Sequence, residues 1–339
     1  MRTLYCAVDL HSNNGYYGIV ENSGKRVFGK KLPNKIEKVL EALEKYKNEI
    51  KTIAVESTYN WYWLVDSLIE NGYNVKLANP VAIKQYSGIK NTDDKNDAFF
   101  LAELLRLNIL PEGYIFKKEE RYIRDMLRRR MFFVNQRTAQ MLSLQNMLCR
   151  QSGNTYPFIE IQKMKKDDLL KILGHKINVF MAVQNLDTIR VLSEKIKMIE
   201  NHVLEAGKLN SNFEKLLTIP GIGKILGLTI MYETGDISRF RKSGNYTSYC
   251  RCVRAERISN NKKKGSNNRK NGNKYLSWAF VEGAHKMKQY CPQAASFYER
   301  KRSKKCGALA TKSLAAKLSK CAYYVLKNKE DFDVKKMFG

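Results

Sequence analysis

Between Arg121 and Gln151 the chain runs for about thirty residues with no proline or glycine, "RYIRDMLRRRMFFVNQRTAQMLSLQNMLCRQ". Its apolar positions Ile123, Leu127, Met131, Val134, Met141, Leu144 and Leu148 return at threes, fours and a seven, the spacing of one helical stripe. A stretch of this kind folds as the arm of a helical hairpin or as a coiled coil. A second helical tract, Asp167 to Leu204, is the candidate for its antiparallel partner or for a contact between subunits. The arm therefore separates two regions that must be built differently.

Ahead of it the apolar period is mostly that of strands. "LYCAVDL" is apolar and β-rich, and "GYYGIVENSGKRVFGKKL" reads as two strands joined at Asn22-Ser23-Gly24. "KIEKVLEALEKYKNEI" carries Ile36, Val39, Leu40 and Leu43 on one helical face. Then follow a short strand "KTIAVEST", a helix "WYWLVDSLIENGY" ending near Asn71-Gly72, a strand "NVKLANP" and a helix "DKNDAFFLAELLRLN". This order belongs to an α/β domain with a mixed sheet. From about Ser211 the chain is predicted to be mostly helical. The resulting division is an α/β domain over 1–115, a helical, coiled-coil arm over 116–207 for oligomerisation and nucleic-acid contact, and an all-α region over 208–339.

Composition decides the class of partner. With 61 Lys and Arg against 33 Asp and Glu the formal charge is +28, which repels itself unless a polyanion is present. The basic residues are spread along the chain, so nucleic acid is the expected partner. No apolar run approaches the ~18 residues of a spanning helix, and Asp9 interrupts any leader-like start; a cytoplasmic setting without membrane contact is expected. Seven cysteines without framework spacing read as reduced thiols. Cys250 and Cys252 form a bare C-x-C that no histidine is placed to complete, so structural zinc is not expected.

In so basic a chain, carboxylates inside apolar elements stand out. Asp9 ends the first strand, Glu56 ends "TIAVE", and Asp94 and Asp97 lie three apart at a helix start, on one face. Singly, each has a plain structural reading, Asp9 as a turn former and Asp94 as a helix cap. Together they make a self-repelling cage that suits Mg²⁺ or Mn²⁺, with two ions able to clamp both oxygens of a phosphodiester displacement. His11 shares a strand face with Asp9 and is a possible assistant.

Further on, "LLTIPGIGKILGLTI" has the pattern of a helix-hairpin-helix. There Gly221 and Gly223 let a tight turn and Lys224 approach a phosphate. Arg128, Arg129 and Arg130 are either phosphate contacts or a solvated face. The stretch "RISNNKKKGSNNRKNGNKYL", Arg257 to Leu276, reads as a basic, asparagine-rich loop. Lys262, Lys263, Lys264, Arg269, Lys270 and Lys274 would lie along a nucleic-acid backbone there. Tyr275 and Trp278 are placed either to stack on bases or to pack in the following helix.

Several ordered blocks resemble the DEDD transposases of the insertion sequence 110 family and its 1111 branch, which are related to pilin-gene invertases. They are "AVDLHSNN", "VESTYNWYWLVDSLIENGYNVKLANPVAIKQY", "KNTDDKNDAFFLAELL", "LLTIPGIGKILGLTIMYETGDISRF" and "KNGNKYL". The likeness is weakest from about Asn154 to Ser211. It implies an RNase H/RuvC-like domain in which Asp9, Glu56, Asp94 and Asp97 hold the metals. Asp94 has the family's spacing to Asp97, which Asp93 lacks. It also implies a serine nucleophile that becomes linked to a DNA phosphate. Further implications are a structured guide RNA from the element's ends and a dimer or tetramer acting on donor and target DNA. Counted back from "KNGNKYL", the serine falls on Ser259, ahead of Ser266 and Ser243. The chain departs from the family where G-L-x-P and Ser-Gly are expected, having "RCVR" and Ser259-Asn260. That departure keeps two alternatives open, a RuvC-type nuclease using water and an inactive nucleic-acid-binding relative.

Overall fold

The computed structural model describes residues 2–83, 93–207, 211–254, 256–265, 271–304 and 306–339. The chain divides into two units, Met1–Lys118 and Glu119–Gly339.

In the first unit the elements run β1 (Leu4–Leu10), β2 (Asn14–Glu21), β3 (Arg26–Pro33), α1 (Ile36–Leu43), β4 (Ile50–Glu56), α2 (Tyr62–Glu70), β5 (Val75–Ala78), α3 (Asp94–Arg106) and β6 (Glu112–Gly113). They form a mixed sheet of order β3-β2-β1-β4-β5-β6. β1 is antiparallel to β2 and parallel to β4, which places it centrally. Successive strand side chains alternate between faces, and β1 is buried on both. Leu4, Cys6, Val8 and Leu10 pack with Val39 and Leu43 of α1 and with Leu64, Val65 and Leu68 of α2. Tyr5 and Ala7, with Ala54 of β4, pack with Phe99, Leu101, Ala102 and Leu105 of α3. Each fully buried Leu or Val contributes roughly 1.5–3 kcal/mol over exposure. The short β6, absent from the sequence-based order, pairs antiparallel with β5.

The second unit is helical. α4 (Lys118–Ser152) is followed by α5 (Phe158–Lys163), α6 (Lys166–Leu173) and α7 (Lys176–Gly207). Arg130 pairs with Glu200, Arg137 bonds Ser193 and Asn185 bonds Gln140. Rising numbers on one helix meet falling numbers on the other, so α4 and α7 are antiparallel. Met141, Leu144 and Leu148 pack with Val179, Ala182, Leu186 and Ile189. The expected single tract from Asp167 to Leu204 is instead two helices, broken at Gly174-His175.

After these come α8 (Ser211–Leu217), α9 (Lys224–Thr234), α10 (Ser243–Tyr249), a hairpin of β7 (Arg257–Ser259) and β8 (Lys262–Gly265), then α11 (Lys274–Tyr290), α12 (Pro292–Arg302), α13 (Gly307–Asn328) and α14 (Val334–Phe338). One core joins the helices, built on Leu216, Ile219, Leu228, Tyr246, Leu276, Phe280, Leu314, Leu318 and Tyr323. Trp278 packs against this core. Arg257–Gly265 forms a two-stranded hairpin where a loop was expected. Asn260 and Asn261 both have left-handed φ, 49° and 56°, and asparagine tolerates the turn such strands require.

Gly221 lies in the turn between α8 and α9 with φ +88°. A Cβ there would stand 2.4 Å from Met287 N and 2.6 Å from Gly283 O of α11. Its missing side chain lets the turn press against α11. Gly223, by contrast, meets nothing within 4 Å, and with Lys224 it is exposed.

Gly221→Ala should therefore destabilise the second unit by roughly 2–4 kcal/mol, combining left-handed strain with overpacking. Gly223→Ala should cost no more than about 1 kcal/mol. Thermal melts of the two variants beside the unmodified chain test the difference.

Candidate metal centre and serine hairpin

Asp9 follows Tyr5 and Ala7 on the α3 face of β1, and Glu56 follows Ala54 on the same face of β4. The register pairs Val8 with Val55, so the two acids come one step later on neighbouring parallel strands. α3 then brings Asp94 and Asp97 to that face from its first turn. Asp93 does not join them. It is the N-cap, accepting from Asn96 N at 2.7 Å and Asn96 Nδ2 at 2.8 Å. With the cap role taken by Asp93, Asp94 is turned to the sheet.

Between the strands and the helix stands His11. Its Nε2 is 3.1 Å from Asp9 Oδ2 and 3.2 Å from Asp94 Oδ1. With both carboxylates ionised, that nitrogen carries the hydrogen and donates to each. Lys31 of β3 adds its Nζ at 3.0 Å from Asp94 Oδ2. One potential ligand atom each from Asp9, His11 and Asp94 lies within 4.8 Å of the others.

The electrostatics follow from this crowding. Burial pushes the Glu56 carboxyl from its ordinary 4.5 up to about 7, helped by a hydrogen bond with Asp9 and the charges of Asp9 and Asp97. Burial also raises Asp97, as do Asp9, Asp93 and Asp94. Asp94 moves the other way, chiefly through the Lys31 hydrogen bond. Hard oxygen donors that repel one another in this way fit Mg²⁺ or Mn²⁺. Asp9, His11 and Asp94 are the residues whose ligand atoms lie close enough to hold it, with Glu56 and Asp97 adjoining through their charges.

In the second unit Ser259 is exposed and directly precedes the Asn-Asn turn, opposite Lys262. Lys262 and Lys264 are exposed as well, and Lys263 belongs to β8. Ser266, Arg269 and Lys270 lie outside the described residues. Ser243 begins α10 with its Oγ 3.4 Å from the Tyr324 hydroxyl.

Comparison with known proteins adds two independent matches. Residues 6–151 match the DEDD transposase family of IS110 elements, and residues 213–299 match the family described as Transposase IS116/IS110/IS902. The chain belongs to the IS110 family of transposases. A probable family 20 transposase of Pseudomonas aeruginosa is 21% identical over 246 residues, covering 70% of this chain and 72% of that protein. The transposase of insertion sequence element IS1111A of Coxiella burnetii is 23% identical over 238 residues, 67% of this chain and 62% of that protein. The chain thus spans less than two thirds of the Coxiella relative. Both strand acids and both helix acids fall inside the first match, and Ser259 inside the second.

In this IS110-family chain the arginine run of α4 has internal partners. Arg128 Nε and Nη2 reach Glu233 at 2.5 and 2.9 Å, and its guanidinium lies over Tyr275. Arg130 pairs with Glu200, and Arg129 stacks over Phe132. Tyr275 is thereby covered by an arginine on one side. Lys274, at the start of α11, is exposed, its Nζ lying near the Tyr275 ring. Lys31 and Glu233 escaped the sequence reading. Lys31 has no distinguishing spacing on its strand, whereas Glu233 is an acid inside the apolar run "KILGLTIMYET", a signal of the kind that pointed to Asp9.

Glu56 supplies a test of the centre. Because its folded value lies above its unfolded one, the metal-free protein should lose stability as pH rises from 4.5 through about 7. A divalent ion that displaces the proton should bind up to about tenfold more tightly per pH unit below 7 and level off above it. Calorimetric titration with Mn²⁺ between pH 5.5 and 8.5 measures this. Melts in chelator and in excess Mn²⁺ should differ more at the upper end.

Proposed function

We propose that this chain is the strand-transfer enzyme of an insertion sequence, cutting and rejoining DNA with a carboxylate metal centre and Ser259 as nucleophile. The observation that carries the reading is the convergence of Asp9, Glu56, Asp94 and Asp97 on one face of the sheet in a chain of charge +28. Two divalent ions bound by these acids would supply charge neutralisation at a scissile phosphate. His11 and Lys31 hold Asp94 in place on either side of its carboxylate.

Ser259 Oγ forms a bond to phosphorus while the ester bond to the departing deoxyribose oxygen breaks, and the serine proton ends on that oxygen. A hydroxyl of the second DNA end then attacks the phosphoserine, and Ser259 regains a proton. A serine hydroxyl needs activation at neutral pH, and the carboxylate centre of the same or another subunit is its proposed source. Lys262 across the hairpin and the exposed Lys264 bring positive charge beside the phosphate. Their contribution is independent of sequence and sensitive to salt.

The family resemblance supports a structured guide RNA from the element's ends and a dimer or tetramer joining donor and target DNA. Where base pairing selects the site, the protein needs no helix that reads the major groove. Among the described residues no helix is long and apolar enough to cross a membrane.

The test is a denaturing trap. Protein with its co-expressed RNA is mixed with labelled element-junction DNA and Mg²⁺, beside Ser259→Ala and Asp97→Asn. A covalent protein–DNA band should form and disappear in both variants, with at least a ~10²-fold loss of rate. Cleavage without an adduct, still made by Ser259→Ala, would replace this reading with a water-using nuclease.

A further inference from the structure

The most deeply buried acid of the second unit is used by nothing proposed above. Glu233, at the end of α9, has no exposed surface. Its carboxylate accepts from Arg124 Nε at 2.9 Å, from Arg128 twice, and from Asn273 Nδ2 at 2.7 Å. Burial by itself would raise this carboxyl; hydrogen bonding from Arg128 and the charges of both arginines bring it below its usual value instead. A buried charge so fully bonded holds its partners in one arrangement.

Asn273 is the partner that matters for geometry. Its Oδ1 caps α11, accepting from Tyr275 N at 2.8 Å and Leu276 N at 3.1 Å, while its Nδ2 goes to Glu233. Its own N–H donates to Tyr249 O at 2.6 Å. Gly272, with φ +92°, lies so close to Tyr249 O that a Cβ would stand 2.5 Å from it. From the other strand of the crossing, Arg251 Nε donates to Gly272 O at 2.9 Å. Tyr249 to Cys252 is where the chain leaves the helical core, and Gly272 and Asn273 are where it returns. Between them lies the hairpin with Ser259.

We infer that Asn273 and Glu233 are positioning residues for the Ser259 segment, closing its neck and tying that neck to the long helix α4 through Arg124 and Arg128. The role of Ser259 rests on the function proposed above; the closure of the neck does not. Arg124 and Arg128, the latter from the run that the sequence leaves as phosphate contact or solvated face, thus become the anchor that sets where the hairpin starts. The stretches "LLTIPGIGKILGLTIMYETGDISRF" and "KNGNKYL", far apart in the chain, meet in one hydrogen bond.

The experiment uses the full chain with Asn273→Ser. Serine still caps α11 but is too short to keep the amide's bond to Glu233. Glu233→Gln keeps the shape, removes the charge, and serves as the second variant if the first fails to fold. Hydrogen–deuterium exchange is followed over 249–265 and, separately, over α9, α11 and α13. In whichever variants fold, exchange over 249–265 should rise roughly tenfold or more, with the helices changing much less. In the trapping assay the adduct should form at least about tenfold more slowly with DNA affinity retained, because only the placement of the serine has changed. Unchanged exchange over 249–265 overturns the inference. So does an equal rise throughout the helices, or collapse of both variants, because Glu233 then holds the core and not the neck. An unmodified protein that forms no adduct would sink the proposed function, while the exchange result still decides the neck.

Discussion

Like charges brought together at the strand ends of a sheet repel, and the first unit is arranged around that repulsion. Asp9 and Glu56 share a face because strand parity leaves no other choice, and α3 adds two more acids from the same side. The hydrogen of His11 and the ammonium of Lys31 lie against Asp94, and Glu56 is inclined to keep its proton. None of these is an efficient solution for stability alone. Four acids crowded at the strand ends and only partly neutralised are a poor structural device and a good cation trap.

Much of this was readable from residue order. The alternation of "LYCAVDL" puts Asp9 two places after Ala7, and "TIAVE" does the same for Glu56 after Ala54. The three-residue step from Asp94 to Asp97 shares a helix face. What spacing could not decide was which of the adjacent aspartates caps the helix; Asp93 does, accepting from the backbone N–H of Asn96, whose side-chain amide adds a second bond. Lys31 was not readable because its contact spans 63 residues. A basic residue on an outer strand carries no mark of the acid it will meet.

The second unit was harder to foresee for a physical reason. Helical stripes tell which face is buried and not against what. The arginine run Arg128-Arg129-Arg130 looks like solvated charge until α9 supplies Glu233 and α7 supplies Glu200. The stretch from Arg257 looks like open loop because its charge and asparagines suppress every strand signal. It pairs nonetheless, through two asparagines that accept left-handed backbone. The P-G-I-G turn carries two glycines of different kinds. Gly221 is filled by α11, and Gly223 faces solvent with Lys224.

A loop whose ends are fastened to each other has a freedom that an open one lacks. Tyr249 and Arg251 bond Gly272 and Asn273, so the cost of bringing the two ends together falls on those few residues. Inside such a closure, added residues alter the loop entropy only logarithmically. The wording between "RCVR" and "KNGN" can therefore drift a long way while the helices beneath it keep their packing. Ser259 lies inside that closure, exposed beside the turn of its hairpin.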